Sequence, residues 1–229
     1  MKKRLANLLL VLALCLVFSP IVKSRFFDRK EVEREVTAFR QTSETSEEGK
    51  SSLSLYEAKQ KASGVLTIPS LDLVLPIYAH VDEYSLSKGA AMMEGYNDLS
   101  GKKHAILTSH NGLSSSGLFT NLNILKKGDL FMVENAKKET LYYRVETMEV
   151  VLPTEKRVLE KPSDTISLIT CDSSEGPNSH RLVVTGKRSE APKKEEAERH
   201  IVFSTYEYFA FGVTLVVLLL LLWERRKTA

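Results

Sequence analysis

A single cysteine outside the apolar termini is the residue of this chain best suited to nucleophilic chemistry. Cys171 ends the strand-like run Ile166–Thr170, and the only other cysteine, Cys15, lies in an apolar N-terminal segment. Further along, Arg181 immediately precedes a second strand-like run, Leu182–Val184. If the two runs are neighbouring strands, the second strand brings the arginine beside the thiol. A lone thiol beside a cation is a candidate nucleophile, because the positive charge stabilises the thiolate.

His110 is the histidine best placed to carry protons for that thiol. It ends the run Ala105–Ser109 and is followed by Asn111 and Gly112, which together are a turn signal. His110 should therefore lie at a strand end on a loop rim, where catalytic groups are often found. Thiol chemistry of this kind needs such a partner, and it also needs donors that stabilise the oxyanion of a tetrahedral intermediate.

The other four histidines have simpler interpretations. His80 and His200 lie in polar stretches and are expected at the surface. His104 and His180 flank strand-like runs and are compatible with ordinary edge positions. Strand alternation places His180 and Arg181 on opposite faces, so one of the two would point at the thiol if these strands are neighbours.

The residues around these candidates predict a β-barrel. From Gly64 onward, short β-rich runs alternate with turn residues, and eight of them in about 120 residues indicate a closed or nearly closed barrel. The eight runs are Val65–Pro69, Leu73–Tyr78, Ala105–Thr108, Leu130–Val133, Leu141–Glu146, Met148–Leu152, Thr165–Thr170 and Leu182–Thr185. We therefore expect a mainly β fold with a few short helices.

The segment before the barrel contains a short amphipathic helix and a linker. Val32, Val36 and Phe39 recur at helical spacing. Residues 42–54 are rich in Ser, Thr and Glu and predict a flexible linker. Residues 55–62 could form a second short helix.

Both ends of the chain carry apolar segments. Leu5–Val22 contains no charge and follows three basic residues, which fits a signal peptide or a membrane anchor. The exit from this segment lacks a small-x-small cleavage site, which favours a retained anchor. Tyr208–Trp223 is also uncharged, has no polar face and precedes Arg225. Basic residues collect on cytoplasmic flanks, so we expect two transmembrane helices, both termini inside the cell and the barrel outside.

Composition predicts one globular domain between these segments. The predicted organisation is an N-terminal membrane anchor or signal segment (1–22), a membrane-proximal helix and linker (23–62), the barrel (63–188), a charged stalk (189–202), a C-terminal transmembrane helix (203–224) and a cytoplasmic tail (225–229). The net charge of +3 is small, so nucleic acid is not an expected partner. We expect no cofactor and no metal, because the chain has neither a glycine-rich phosphate loop nor a second cysteine that could complete a Cys-x-x-Cys site.

Four linked motifs, in order from about Gly64 to Arg188, resemble the sortases of Gram-positive bacteria, and most closely their class C, pilus-assembling group. The motifs are His104–Leu113, Leu118–Leu122 with Lys127–Asp129, Leu168–Cys171 and Asn178–Gly186. The resemblance implies an eight-stranded sortase barrel that acts as a cysteine transpeptidase. Two membrane segments flanking an external barrel also suit that group.

The resemblance also implies roles for particular residues. Cys171 would attack the Thr-Gly carbonyl of a Leu-Pro-x-Thr-Gly-like (LPXTG-like) sorting signal and form a thioacyl intermediate. His110 would donate a proton to the departing amine and accept one from the incoming nucleophile. Arg181 would hydrogen-bond the substrate backbone or the oxyanion. Substrate-binding positions would be Thr170, Asn178 and Ser109.

The implied acceptor is a pilin lysine, or a peptidoglycan precursor amine in a wall-anchoring enzyme. Two departures from the group stand out: the chain contains no Asp-Pro dipeptide of the kind found in the lids of many pilus sortases, and residues 172–177 differ from the loop common in the group. A hydrolytic cysteine peptidase and a non-catalytic membrane-tethered barrel are the alternatives from other classes. The latter predicts an unreactive thiol.

Overall fold

The structure is a computed structural model that describes residues 29–42, 61–111, 117–172, 179–192 and 208–217, together with positions 13, 15, 18 and 19. Its helices and strands are α1 Arg29–Thr42, β1 Ala62–Ile68, β2 Leu73–Tyr78, α2 Glu83–Lys88, β3 Ala90–Met92, β4 Ala105–Thr108, β5 Leu130–Glu134, β6 Thr140–Val151, β7 Thr165–Asp172 and β8 His180–Ser189. Short 3₁₀ turns occupy Pro69–Leu71, Leu122–Ile124 and Lys156–Val158. Residues 208–217 are helical.

The eight strands close into one barrel in the order β1-β2-β3-β4-β7-β8-β6-β5. Strand β5 pairs with β1 and completes the closure. Two neighbouring pairs, β2 with β3 and β4 with β7, are parallel, and the remaining pairs are antiparallel. The prediction of a mainly β, eight-stranded barrel is confirmed.

Two of the predicted strands are in fact one, and a short strand was missed. The runs 141–146 and 148–152 form the single strand β6, which ends at Val151 and carries a register shift against β8 between Val145 and Thr147. The eighth strand is β3, whose three residues were not predicted. It follows α2, which begins with a capping box between Asp82 and Ser85.

The barrel interior is filled by the inward-facing residues of all the strands. Phe131 and Tyr143 stack in this core with ring centroids 5.5 Å apart. A Cβ at Gly186 would lie 2.3 Å from the Phe131 ring. Strand β8 therefore needs glycine where it passes the stacked pair.

Helix α1 packs on the outside of the barrel, as its hydrophobic spacing predicts. Val36 and Phe39 are buried with Val65 of β1. An ion pair of 2.7 Å between Arg29 and Asp72 joins the helix to the barrel. A second ion pair of 2.7 Å, between Glu31 and Lys88, joins it to α2.

The predicted membrane segments are only sparsely covered by the described residues. No helix in the described part of the chain is both long and apolar enough to cross a membrane. The predicted linker lies outside the described residues except for its first residue, which ends α1. Of the possible helix at 55–62, only 61 and 62 are described; residue 61 is a bend, and Ala62 begins β1.

Candidate active site

Cys171 and Arg181 lie directly opposite each other on neighbouring strands. The antiparallel register of β7 and β8 pairs Cys171 with Arg181 and Asp172 with His180. Both Cys171 and Arg181 are half-buried, and the thiol is not in a disulfide. The Arg181 Nη1 donates a 3.0 Å hydrogen bond to the His180 carbonyl. The thiol therefore lies on a residue whose direct partner on the adjacent strand is an arginine.

His110 reaches the same end of the barrel because β4 runs parallel to β7. The register pairs Thr108 with Ile169, and continuing it by two residues places His110 level with Cys171. Hydrogen bonds hold that continuation together. The Ser109 N–H donates to the Ile169 carbonyl at 3.3 Å, and the Asn111 Nδ2 donates to the Cys171 carbonyl at 2.9 Å.

The three candidates share the outer face of the barrel wall. Ile106, Ile169 and Val183 form an apolar cluster separate from the barrel interior, which marks their side of β4, β7 and β8 as the outer one. Side chains alternate along a strand, so positions two or four residues further on point the same way. Cys171 follows Ile169 by two residues, Arg181 precedes Val183 by two, and His110 follows Ile106 by four.

The backbone at His110 is fixed from the other side by the chain that follows. The His110 carbonyl accepts a 3.1 Å bond from the Phe119 N–H. Phe119 is fully buried in the barrel core together with Leu122. His110, which is half-buried, thus belongs to a loop that is anchored at both ends.

The two predicted substrate-binding residues in the described part of the chain are buried in the wall. The Thr170 hydroxyl donates to the Ser109 carbonyl at 2.9 Å, and the Ser109 hydroxyl donates to the Gly89 carbonyl at 2.7 Å. Both side chains are at most 3% exposed. These two hydrogen bonds link β7 to the end of β4, and the end of β4 to the residue before β3. The linked residues immediately precede Cys171 and His110 in the sequence. Contact with a substrate stays a prediction for both, and Asn178 lies outside the described residues.

Replacement of Thr170 by valine should lower the free energy of unfolding by about 1–2 kcal/mol. Valine has nearly the same shape but cannot donate to the buried Ser109 carbonyl, and an unsatisfied buried acceptor is costly. Urea unfolding followed by fluorescence would measure the change. Thr147→Val, at an exposed position of β6, is the matched control and should change stability little. Equal effects of the two substitutions would contradict the role given to Thr170.

The connection between β6 and β7, residues 152–164, covers part of this outer face. Val158 is buried against Ile106, Ile169 and Val183, and Leu159 packs against the same cluster. This β6/β7 loop therefore forms a wall beside the strand positions that precede Cys171 and follow Arg181.

Ion pairs from Glu149 of β6 hold the same loop. Its carboxylate lies 2.6 Å from the Arg157 Nη1 and 3.2 Å from the Lys161 Nζ. Burial raises the pKa of the Glu149 carboxyl, but hydrogen bonds and charges from Lys161 and Arg157 outweigh it and hold that pKa below its usual range. Glu149 is thus a charged anchor for the loop at neutral pH.

Of the remaining histidines, only His104 departs from the position expected from sequence among those that the structure describes. His104 is only 8% exposed, so it is not an edge residue, and both its ring nitrogens have partners. His180 is half-buried and its Nδ1 lies 3.0 Å from the Ser179 hydroxyl. His80 is exposed as predicted, and His200 lies outside the described residues.

Asn111 is a residue whose role sequence reasoning missed. The sequence identifies it only as half of a turn signal, whereas its side chain bonds the main chain of Cys171. The parallel pairing of β4 and β7 was needed to find that contact, and nothing local in the sequence encodes it.

A closed barrel that places a thiol, an imidazole and a guanidinium on one outer face defines an enzyme type suited to acyl transfer through a cysteine. The thiol can attack a carbonyl, the imidazole can move protons, and the guanidinium can stabilise negative charge on oxygen. Among the described residues no cluster of His, Cys, Asp and Glu could hold a metal ion.

Comparison with known proteins identifies the family. The sortase domain profile matches residues 66–189, more than half of the chain. The chain therefore belongs to the sortase family of cysteine transpeptidases.

Individual relatives include both sortase A and sortase C proteins. Sortase A of Bacillus anthracis is 35% identical over 130 residues, which span 56% of this chain and 60% of that protein. Group B Streptococcus pilus island 1 sortase C2 superposes with a TM-score of 0.52 at 36% identity, covering 70% of this chain and 98% of that one. The Streptococcus agalactiae sortase C1 complex with MTSET gives a TM-score of 0.55 at 30% identity, covering 75% and 95%.

Replacement of Arg181 should slow acyl transfer strongly while leaving the thiol in place. Loss of a donor to a developing oxyanion costs roughly 10²–10³-fold in kcat, and we expect that loss for Arg181→Ala. Arg181→Lys keeps the charge but not the planar fork, so it should recover only part of the rate. Steady-state release of the amine product would measure both. Full activity of the alanine variant would exclude a role for Arg181 in the reaction.

Proposed function

We propose that this chain is a membrane-anchored sortase that joins an LPXTG-like sorting signal to an amine, with a pilin lysine as the natural acceptor. The observation that carries the proposal is the direct pairing of Cys171 with Arg181, with His110 level with them on the continuation of the parallel neighbour β4. Cys171 attacks the Thr-Gly carbonyl as its thiolate, whose proton His110 has taken, and the glycine amine leaves with that proton. The acceptor amine then gives up a proton to His110 and displaces the thiol.

The pilin acceptor is favoured by the kind of structures that the chain resembles. They include a sortase C2 from a streptococcal pilus island, which is 36% identical and covered almost completely. A peptidoglycan precursor amine is the second candidate, because the similar proteins also include sortase A of Bacillus anthracis. The uncharged segments at 5–22 and 208–223, with their basic outer flanks, support a location in the cell membrane with the barrel outside.

The test is to incubate the full-length chain in detergent with a Leu-Pro-x-Thr-Gly peptide and two competing amines. One amine is a peptide that carries a pilin-like lysine, and the other is a peptidoglycan-like glycine or diamino-acid amine. Mass spectrometry of the protein and peptides should show a thioacyl adduct on Cys171 and a peptide that has exchanged its glycine for the lysine. Preference for the second amine would favour the wall-anchoring alternative.

Two outcomes would overturn the transpeptidase proposal. Cleaved peptide without any amine-exchanged product would identify a hydrolytic peptidase. No adduct with any sorting-signal variant, together with a thiol that resists alkylation, would favour a non-catalytic tethered barrel.

A further inference from the structure

His104 is the one buried imidazole among the described residues, and the proposed reaction does not use it. It immediately precedes β4 and is 8% exposed. Its Nδ1 lies 3.3 Å from the Leu159 carbonyl in the β6/β7 loop, and its Nε2 lies 3.0 Å from the Ser167 hydroxyl on β7. The Tyr96 ring packs edge-on against it with centroids 5.7 Å apart. His104 thus connects the barrel wall to the loop.

Hydrogen-bond chemistry determines the direction of these contacts. A carbonyl oxygen can only accept, so Nδ1 carries the proton and donates to Leu159. Burial and the Lys161 charge lower the pKa of His104, although the bond to Leu159 raises it, so the ring is neutral at neutral pH. The Nε2 lone pair then accepts from Ser167, whose oxygen lies 3.2 Å from the Thr185 hydroxyl and can accept from it. The chain of donors runs from β8 through β7 to the loop.

This part-buried bond is a polar restraint on the loop that is separate from the ion pairs of Glu149. Of the two ion pairs of Glu149, the one with Arg157 is 59% exposed on the arginine and contributes little, whereas the one with Lys161 is only 21% exposed on the lysine and also holds the loop. Loss of the His104 bond would take a donor away from the part-buried Leu159 carbonyl at a place where the imidazole, which is 8% exposed, shields it from water. Leu159 also packs against the apolar cluster that contains Ile169 and Val183. Any shift of this carbonyl would therefore move the wall beside Cys171 and Arg181.

We propose that His104 is a positioning residue that holds the β6/β7 loop in place for the sorting signal by its bond to the Leu159 carbonyl. The proposal rests on the proposed function, since it assigns the loop to recognition of the peptide that Cys171 attacks. His104 touches neither the thiol nor the substrate. Its loss should weaken peptide binding and leave the reacting groups intact.

Two substitutions separate the two bonds of the ring. In His104→Asn the side-chain amide nitrogen occupies the place of Nδ1 and can still donate to Leu159. In His104→Gln the longer side chain reaches the Nε2 position and can keep the contact with Ser167, but the bond to the Leu159 carbonyl of the loop is lost. We expect the KM for a Leu-Pro-x-Thr-Gly peptide to rise roughly fivefold to tenfold in His104→Gln and less than about twofold in His104→Asn. The kcat should change little in either variant.

A measurement on the loop itself does not depend on activity. The Leu159 and Glu160 amides donate to Lys156 and Arg157 within the loop, so their hydrogen exchange reports its order. Exchange at these amides should accelerate in His104→Gln and stay near the wild-type rate in His104→Asn. Alkylation of Cys171 should proceed at the wild-type rate in both, which shows that the thiol site is undisturbed.

The outcomes distinguish this proposal from the function on which it rests. If the wild-type chain yields no exchanged peptide, the proposed function fails, while the exchange measurement still decides the loop restraint. If the asparagine and glutamine variants raise KM and loop exchange equally, His104 is an ordinary core residue and the positioning role is wrong. Should both variants unfold, Ser167→Ala removes the Nε2 partner together with the contact to the Thr185 hydroxyl, and it leaves the Nδ1 bond to Leu159 in place. If Ser167→Ala keeps the wild-type KM and the wild-type rate of loop exchange, the positioning role of the Leu159 bond is supported. An increase in the KM or in the exchange rate would overturn that role.

Discussion

Cys171→Ala should abolish both the thioacyl adduct and the amine-exchanged peptide, lowering kcat/KM by at least about 10⁴-fold. The expected loss is the largest in the molecule because Cys171 itself forms the covalent intermediate. The side chain is half-buried at the end of β7, so its truncation removes one sulfur without opening the core. Intact-mass spectrometry of the protein after incubation with the sorting-signal peptide measures the adduct directly.

The only other cysteine supplies the matched control. Cys15 is exposed and lies far outside the barrel sequence, so Cys15→Ala should retain full activity and the adduct. A similar urea midpoint for both variants would show that the barrel is intact. Residual amine exchange in Cys171→Ala above one part in about 10³ would require a different nucleophile.

The barrel could be predicted from sequence because its strands are short, β-rich and separated by turn residues. The boundary placed within β6 was wrong for a definite reason. Leu141, Tyr143 and Val145 point inward, but the register shift at 145–147 changes the phase, and Met148 is the next residue to pack against the core. A break in alternation has the same appearance in a sequence as a turn.

Strand β3 could not be predicted because nothing in its own residues favours a strand. Ala90, Ala91 and Met92 are not β-branched, and the strand is only three residues long. It forms because α2 returns the chain beside β2, where Ile77 pairs with Ala90. The carbonyl of Gly89, just before it, then accepts the Ser109 hydroxyl. This unpredicted element therefore supports the loop that carries His110.

Some residues of the candidate site could be predicted from the sequence, and others could not. Cys171, His110 and Arg181 have chemically distinctive side chains at strand ends, so residue type and position identified them. Asn111 and His104 act through main-chain carbonyls 60 and 55 positions away. Such contacts depend on strand pairing and loop packing, which single-sequence periodicity does not contain.

His110→Ala should lower kcat by roughly 10²–10⁴-fold, the second-largest loss expected here, while Cys171 keeps its place on β7. A glycine amine is a poor leaving group unless it is protonated, and His110 is the described imidazole at the level of the thiol on its outer face. A peptide with an activated ester in place of the Thr-Gly amide needs no proton to depart. The variant should therefore acylate on the ester far better than on the amide, and burst-phase mass spectrometry of the two substrates would measure the ratio.

His180 provides the control for this second prediction, because it lies beside Arg181 but alternation turns it to the opposite face of β8. His180→Ala should keep kcat within about threefold of the wild type, since general acid–base catalysis requires hydrogen-bond reach of the reacting atoms. If the two histidine variants lose activity equally on the amide and on the ester, the damage is to the structure of this end of the barrel. A selective loss on the amide in His110→Ala alone assigns the leaving-group proton to His110.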